Sequence, residues 1–230
     1  MTTSLVYTYQ LTRNQLIESA LRKLGVLAEG QVPSTQNYTD GAIALNNVVA
    51  QLRAIGMPLW ARSEYTFTPT TTSYTIGTGM TLNTPFPVKL LQVFRTDGGA
   101  KIGMDLVARE DFNLLPVTST GTPLKANYQP FVNYGVISFW PTPTSTNTTT
   151  VTLVYQRPFQ YFANVTDTMD FPEEWYNAII YNLAVRLAPE WGVPLPDRQM
   201  LMQEAKTYTE DALMSGQEDA SLFLQPMRGY

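Results

Sequence analysis

Apolar residues recur every three or four positions at both ends of this chain and every second position through its middle. The helical rhythm predicts four helices. The first runs from Leu11 to Val26: Thr12 and Gln15 fit a capping box, with Leu11 and Leu16 at the staple positions around the cap. Ile17, Ala20, Leu21 and Leu24 then form one buried stripe, Arg22 and Lys23 suit the last turn, and Gly25 supplies the stop. The second helix is expected from Thr39 to Ile55. Thr39 is its cap, Ile43, Val48, Val49, Leu52 and Ile55 are its apolar side, and Gly56 followed by Met57-Pro58 ends it. The third is expected from Asp170 to Ala188, with Asp170 as cap, Glu173 in the box position and Pro172 in the first turn. Trp175, Ala178, Ile179, Leu183 and Leu187 are its inner face. A fourth, from Asp197 to Ser215, would bury Leu201, Ala205, Tyr208, Ala212 and Leu213.

Between about Ser63 and Phe162 the period changes to two, in segments rich in Thr, Tyr and Pro. Alternation marks Glu64 to Thr68, Ser73 to Ile76, Val88 to Arg95, Lys101 to Val107, Leu124 to Phe131, Val136 to Trp140 and Thr150 to Gln156. Asp97-Gly98-Gly99 is a hairpin signal, and Arg109-Glu110-Asp111-Phe112 reads as a short helical turn between strands. Six or seven strands at this spacing predict an antiparallel β-sandwich or small barrel. The expected fold class is therefore α+β, with a β domain (63–162) inserted into a helical one (1–62 and 163–215). Neither helical hairpin can bury its stripe alone, so the two chain ends are expected to pack as one discontinuous bundle.

Composition removes whole classes of chemistry. The 230 residues include no cysteine and no histidine. Disulfides, thiolate metal sites, cysteine nucleophiles and histidine-based acid–base schemes are excluded, and a metal would need an all-oxygen site. Nothing in the chain calls for a cofactor or a metal. The formal net charge is −4 and the isoelectric point about 4.9, with Lys and Arg scattered rather than clustered. Tight binding to nucleic acid needs a basic patch, so DNA is not expected to be gripped. No segment approaches the ~20 consecutive apolar residues of a membrane span. The N-terminus lacks the basic start and apolar run of a signal peptide, so synthesis in the cytoplasm is the expectation.

Carboxylate pairs are the acid–base chemistry left to such a chain, which raises a glycosidase reading. The adjacent Glu173 and Glu174 would project about 100° apart on a helix and cannot flank one bond. The Thr runs at 68–72 and 142–152 raise a second reading, in which the β domain is an adhesin or glycan reader. Exposed strand and loop positions also favour Thr and account for the same runs. Asn46 and Asn47, inside the second helix, are read as surface or inter-helix hydrogen-bonding groups rather than ligands.

Four features occur in a particular order. Ala20-Leu21-Arg22-Lys23-Leu24-Gly25-Val26 comes first, then Ala108-Arg109-Glu110-Asp111-Phe112 within the β region. Trp140-Pro141-Thr142-Pro143 follows at a strand end. Last comes Phe171-Pro172-Glu173-Glu174-Trp175, running into Tyr181-Asn182-Leu183-Ala184-Val185-Arg186-Leu187-Ala188-Pro189-Glu190. In this order and separation the chain resembles the tail accessory factor and related head-to-tail adaptors, or head-completion connectors, of short-tailed bacteriophages. The resemblance covers most of residues 11–215. It implies a structural virion protein at the head–tail junction. Such a protein forms a ring, commonly twelve-fold, beneath the portal, carries the next tail component and lets DNA through without specific binding. Cell-wall cleavage, linked to some relatives, is not carried over, because no matching carboxylate pair is present.

The last fifteen residues, 216–230, have no helical period yet contain Leu222, Phe223, Leu224, Met227 and Tyr230. They are expected to form an extended arm, and these five residues are the candidate partner-binding side chains. Fully stretched, the arm spans roughly 50 Å, enough to reach a neighbouring subunit or the portal. Ordering fifteen residues costs more backbone entropy than five side chains return. A partner would therefore have to add backbone hydrogen bonds, as in strand addition. The carboxylates Glu173, Glu174, Glu190, Glu204, Glu210 and Asp211 are candidates, as a class, for the wall of a DNA channel.

Overall fold

In the computed structural model, residues 9–28, 30–55, 61–144, 146 and 148–215 are described. Gly56, Met57 and Pro58, and the arm residues Leu222, Phe223, Leu224, Met227 and Tyr230, lie outside them. The chain is mixed α+β. Ala61–Pro158 forms one compact unit, and the described residues on either side of it form the other.

The helical unit begins with α1, Arg13–Lys23. The Gln15 backbone N–H donates to the Thr12 hydroxyl (3.4 Å), and the Thr12 N–H donates to Gln15 Oε1 (2.9 Å), completing the capping box. Leu16, Ile17, Ala20 and Leu21 are buried, and Gly25 follows the helix at φ +70°. Helix α2, Thr35–Ile55, starts four residues before the expected Thr39. Its cap is Ser34, whose Oγ accepts from the Asn37 N–H at 3.2 Å, whereas the Thr39 hydroxyl donates back to the Thr35 carbonyl within the helix. Its inner face also differs from expectation: Ile43 is 61% exposed, and Ala44, Leu45, Val48, Val49 and Leu52 are buried. Gly41 explains the rotation. A Cβ there would lie 2.6 Å from Ile17 Cγ2, so α2 turns its Gly41 side to α1; the buried Leu45, Val48 and Leu52 follow on the same face, and Ile43 falls outside it.

Helix α4, Trp175–Leu187, is the centre of this unit and packs against α1, α2 and the last helix, α5 (Leu195–Ser215). Nine of its thirteen residues are buried, which explains its nearly continuous apolar sequence. The expected capping box at Asp170 and Glu173 does not form. No side chain caps α4; the Trp175 and Tyr176 N–H groups bond to the Pro172 and Glu173 carbonyls in a preceding turn. Asp170 instead accepts from the Gln160 N–H (3.2 Å). Tilted aromatic contacts hold this turn: Phe171 packs 4.4 Å from Phe159 and 5.9 Å from Trp175, centroid to centroid. On the other side Tyr208 of α5 stacks on Tyr181 at 4.9 Å, and the Asn182 amide donates to Thr209 Oγ1 at 2.9 Å.

Polar bonds join the segments before and after the β unit. The Asn46 amide reads both backbone groups of Phe162, donating to its carbonyl at 3.1 Å and accepting from its N–H at 3.0 Å. The Arg13 N–H donates to the Asp167 carbonyl (2.8 Å), and the Tyr176 hydroxyl to the Tyr9 carbonyl (2.7 Å). Asn46 thus has the structural role its position suggests, while Asn47 is exposed.

The β unit contains β1 (Arg62–Phe67), β2 (Ser73–Gly77), β3 (Leu82–Asn83), β4 (Lys89–Asp97), β5 (Ala100–Leu106), the short α3 (Arg109–Asn113), β6 (Lys125–Pro130), β7 (Gly135–Trp140) and β8 (Thr150–Gln156). The strands form one curled eight-stranded sheet, a half-barrel, in the order β1-β8-β4-β5-β6-β7-β2-β3. The expectation was an antiparallel sandwich or small barrel; the observed sheet is a single curled half-barrel and is not wholly antiparallel. Two of its junctions, β5–β6 and β2–β3, are parallel. The crossover through α3 returns the chain in the same direction beside β5 and so joins the strands on either side into one sheet. The β4–β5 turn is the expected hairpin, with Gly98 and Gly99 at φ +55° and +86°, as a primed turn requires. One face carries a core of Ile76, Val93, Ile137, Phe139, Leu153 and Tyr155 among others, with Tyr65, Phe67, Tyr74 and Tyr128 packed at its margin.

Candidate assembly surfaces

The residues of the recurring motifs have packing roles. Phe112, on α3, lines a 150 Å³ cleft with Leu115, Val117, Phe139 and Trp140. The Trp140 indole N–H donates to the Pro116 carbonyl at 2.9 Å, and Lys125 Nζ lies 5.9 Å from its ring centroid. The motif at 171–175 is the aromatic turn before α4. These residues set the backbone; they do not gather reactive groups.

Several residues of the Thr runs are bonded within the protein. The Thr66 and Thr152 hydroxyls meet at 2.8 Å and those of Thr72 and Thr142 at 3.2 Å. The N–H groups of Thr70 and Thr71 both donate to the Tyr74 hydroxyl; burial raises its pKa, but hydrogen bonding with the side chains and backbone of these two residues outweighs that and lowers it. Glu173 and Glu174 sit exposed on the turn before α4, beside a 290 Å³ hollow with Tyr9, Met169, Phe171 and Tyr176. Burial raises the Tyr176 pKa, and Glu173 adds to the shift. Among the described residues no group of three or more acidic side chains could hold a metal ion. The other candidate channel carboxylates, Glu190, Glu204, Glu210 and Asp211, lie at exposed or half-buried positions, and Glu210 pairs with Lys206 at 3.8 Å.

Part of what the helical unit presents outward is apolar. The end of α1 and the α4–α5 connection enclose a groove of about 510 Å³ lined by Leu24, Val26, Trp191, Pro194, Met200 and Leu201. Lys23 and Asp197 stand beside it, Lys23 with its ammonium 5.3 Å from the Tyr181 ring centroid. A second hollow of about 350 Å³ continues from Met200 to Tyr208 along α5. Met200, Met202 and Met214 are all more than half exposed. Methionine is adaptable and recurs at binding surfaces. Sequence reasoning missed this face. Its signal was the triplet Met200-Leu201-Met202: a helix that buries Leu201 leaves both flanking methionines on its shoulders.

The family described as SU10 adaptor protein matches residues 11–228, nearly the whole length. The chain belongs to that family and is thus a bacteriophage structural adaptor, in agreement with the likeness to head-to-tail adaptors of short-tailed phages; the family is not an enzyme class. Among curated proteins, none matches the chain.

Proposed function

We propose that the protein assembles into a ring, twelve-fold, that joins the portal of a phage head to the tail and forms part of the DNA conduit. The observation that carries this reading is the family match across residues 11–228, which spans both chain ends and the β unit alike. In this reading the helices of the two chain ends act as one bundle that makes the subunit contacts. The apolar groove at Trp191 and the methionine shoulder of α5 supply contact area. The arm, residues 216–230, reaches onto a neighbour or the portal through Leu222, Phe223, Leu224, Met227 and Tyr230. DNA carries one charge per ~1.7 Å of duplex axis, so a basic bore would retain it. A chain of net charge −4 lets it pass.

Mixing the purified protein with a portal tests the proposal. Co-elution as one stoichiometric complex, with an annular projection in electron micrographs, is expected. A protein that stays apart from the portal and forms no annulus would refute it.

A further inference from the structure

We infer that the outer edge of β1 is a docking site for residues Ser221–Gln225 of a second copy of this chain, added as a ninth strand parallel to β1. The inference rests on the self-assembly proposed above and names the contact.

The sheet ends on β1 and on β3, and β3 has only two residues. Strand β1 pairs along all six of its residues with β8, from Arg62 opposite Gln156 to Phe67 opposite Val151. Among the described residues no strand lies on its other side. An edge of this length presents a row of backbone donors and acceptors to any extended segment that reaches it. The side chains carry the same mark. On β8, Val151 and Leu153 are fully buried, yet Phe67 and Tyr65, directly opposite them and packed on the same core, remain half-exposed. A ninth strand would cover both rings.

The occupant follows from the chain itself. Fifteen residues follow Ser215, the last described residue, and fully stretched they span up to roughly 50 Å. Their apolar content cannot order them through side chains alone, so their docking site must supply backbone partners. Within them, Ser221-Leu222-Phe223-Leu224-Gln225 is a five-residue strand-like run. Pro226 ends it, because proline has no N–H to continue a ladder. In a parallel register Leu222 falls abreast of Tyr65 and Leu224 abreast of Phe67, on the core side. The same register sets Asp219 abreast of the exposed Arg62, pairing opposite charges, and Ser221 abreast of Glu64. The sheet already contains two parallel junctions.

The chain has no cysteine, so introduced ones report without background. Full-length Glu64→Cys and full-length Ser221→Cys chains, mixed in equal amounts under mild oxidation with portal present, should form a covalent heterodimer. That product should exceed the homodimer of either chain alone at least tenfold. Adding Leu222→Asp and Leu224→Asp to the Ser221→Cys chain should abolish it. Light scattering and electron microscopy of the same samples separate the two levels of the claim. Assembly without the Glu64–Ser221 cross-link overturns the strand-addition site and leaves the ring intact. Absence of any assembly overturns both. A cross-link that forms only within a chain carrying both cysteines overturns the second copy as occupant. Linkage through Gln225→Cys instead of Ser221→Cys overturns the parallel register.

Discussion

Replacing Asn46 by alanine removes the side chain that bonds both backbone groups of Phe162, at 3.1 and 3.0 Å. Phe162 is 5% exposed, and Asn46 itself is half-buried. Alanine would therefore leave an N–H and a carbonyl in a partly dry setting, where each unsatisfied group costs about 1–3 kcal/mol. Because water reaches part of the site, the lower half of that range applies, about 2–4 kcal/mol in all. For a chain of this size ~1 kcal/mol corresponds to about 2–4 °C in Tm, so the transition should fall by ~5–15 °C. Urea or thermal unfolding followed by far-UV circular dichroism reads this directly. Asn47→Ala is the matched control, one residue along on an exposed position, and should stay within about 0.5 kcal/mol. Asn46→Asp keeps the acceptor for the Phe162 N–H but turns a carboxylate oxygen toward its carbonyl, so it should not rescue stability. Equal Tm values for Asn46→Ala and Asn47→Ala would refute the claim that this amide ties the segments on either side of the β unit together.

At Gly41 a valine would force its Cβ into Ile17, 2.6 Å from Cγ2, and should cost about 1–3 kcal/mol by overpacking, read in the same unfolding assay. The Tyr128 hydroxyl donates to the Pro87 carbonyl, and burial pushes its pKa up to about 12. The native state therefore holds this proton more tightly than the unfolded chain. Its contribution to stability is complete below pH 10 and is lost as pH rises from 10 toward 12, so Tyr128→Phe should flatten the stability–pH curve there. Asp167 accepts the N–H groups of Asn164 and Ala163 at 2.6 and 2.7 Å, which hold its carboxyl below the usual value. The resulting stabilisation is present above the ordinary aspartate pKa and lost as pH falls through the depressed one; a carboxyl-carbon NMR titration should place Asp167 below the ordinary aspartate value. Met200→Asp with Met202→Asp, both at exposed positions, should leave Tm nearly unchanged and impair assembly with a portal.

Local signals that agreed with one another were legible in the chain, and those that needed a distant partner were not. Helix α1 is written within its own residues: Thr12, Gln15, the buried Ile17, Ala20 and Leu21, and Gly25 appear as read, while Leu24 is the half-buried C-cap. Helix α2 was read four residues short because its first turn, Thr35 to Tyr38, is polar and carries no apolar rhythm, so Thr39 looked as good a cap as Ser34. The false capping box at Asp170 is indistinguishable by spacing from a real one; the packing of Phe171 between Phe159 and Trp175 decides otherwise, and that involves a residue eleven positions before Asp170. In the β unit, seven of the eight strands were visible by alternation. Their connection into one half-barrel was not, because the β5–β6 pairing depends on a crossover rather than a hairpin. The Trp191 groove draws on the end of α1, the α4–α5 turn and the start of α5, three segments that no local pattern links. The family order of motifs reached the adaptor class nonetheless, since it depends on sequence at separated positions rather than on their contacts.

A cryo-electron microscopy map of the protein bound to its portal tests the adaptor account most directly. Copies of the chain closed into a twelve-fold annulus, coaxial with the portal and surrounding an open channel, are the predicted result. Density showing isolated copies on the outside of the portal, or none, would contradict it.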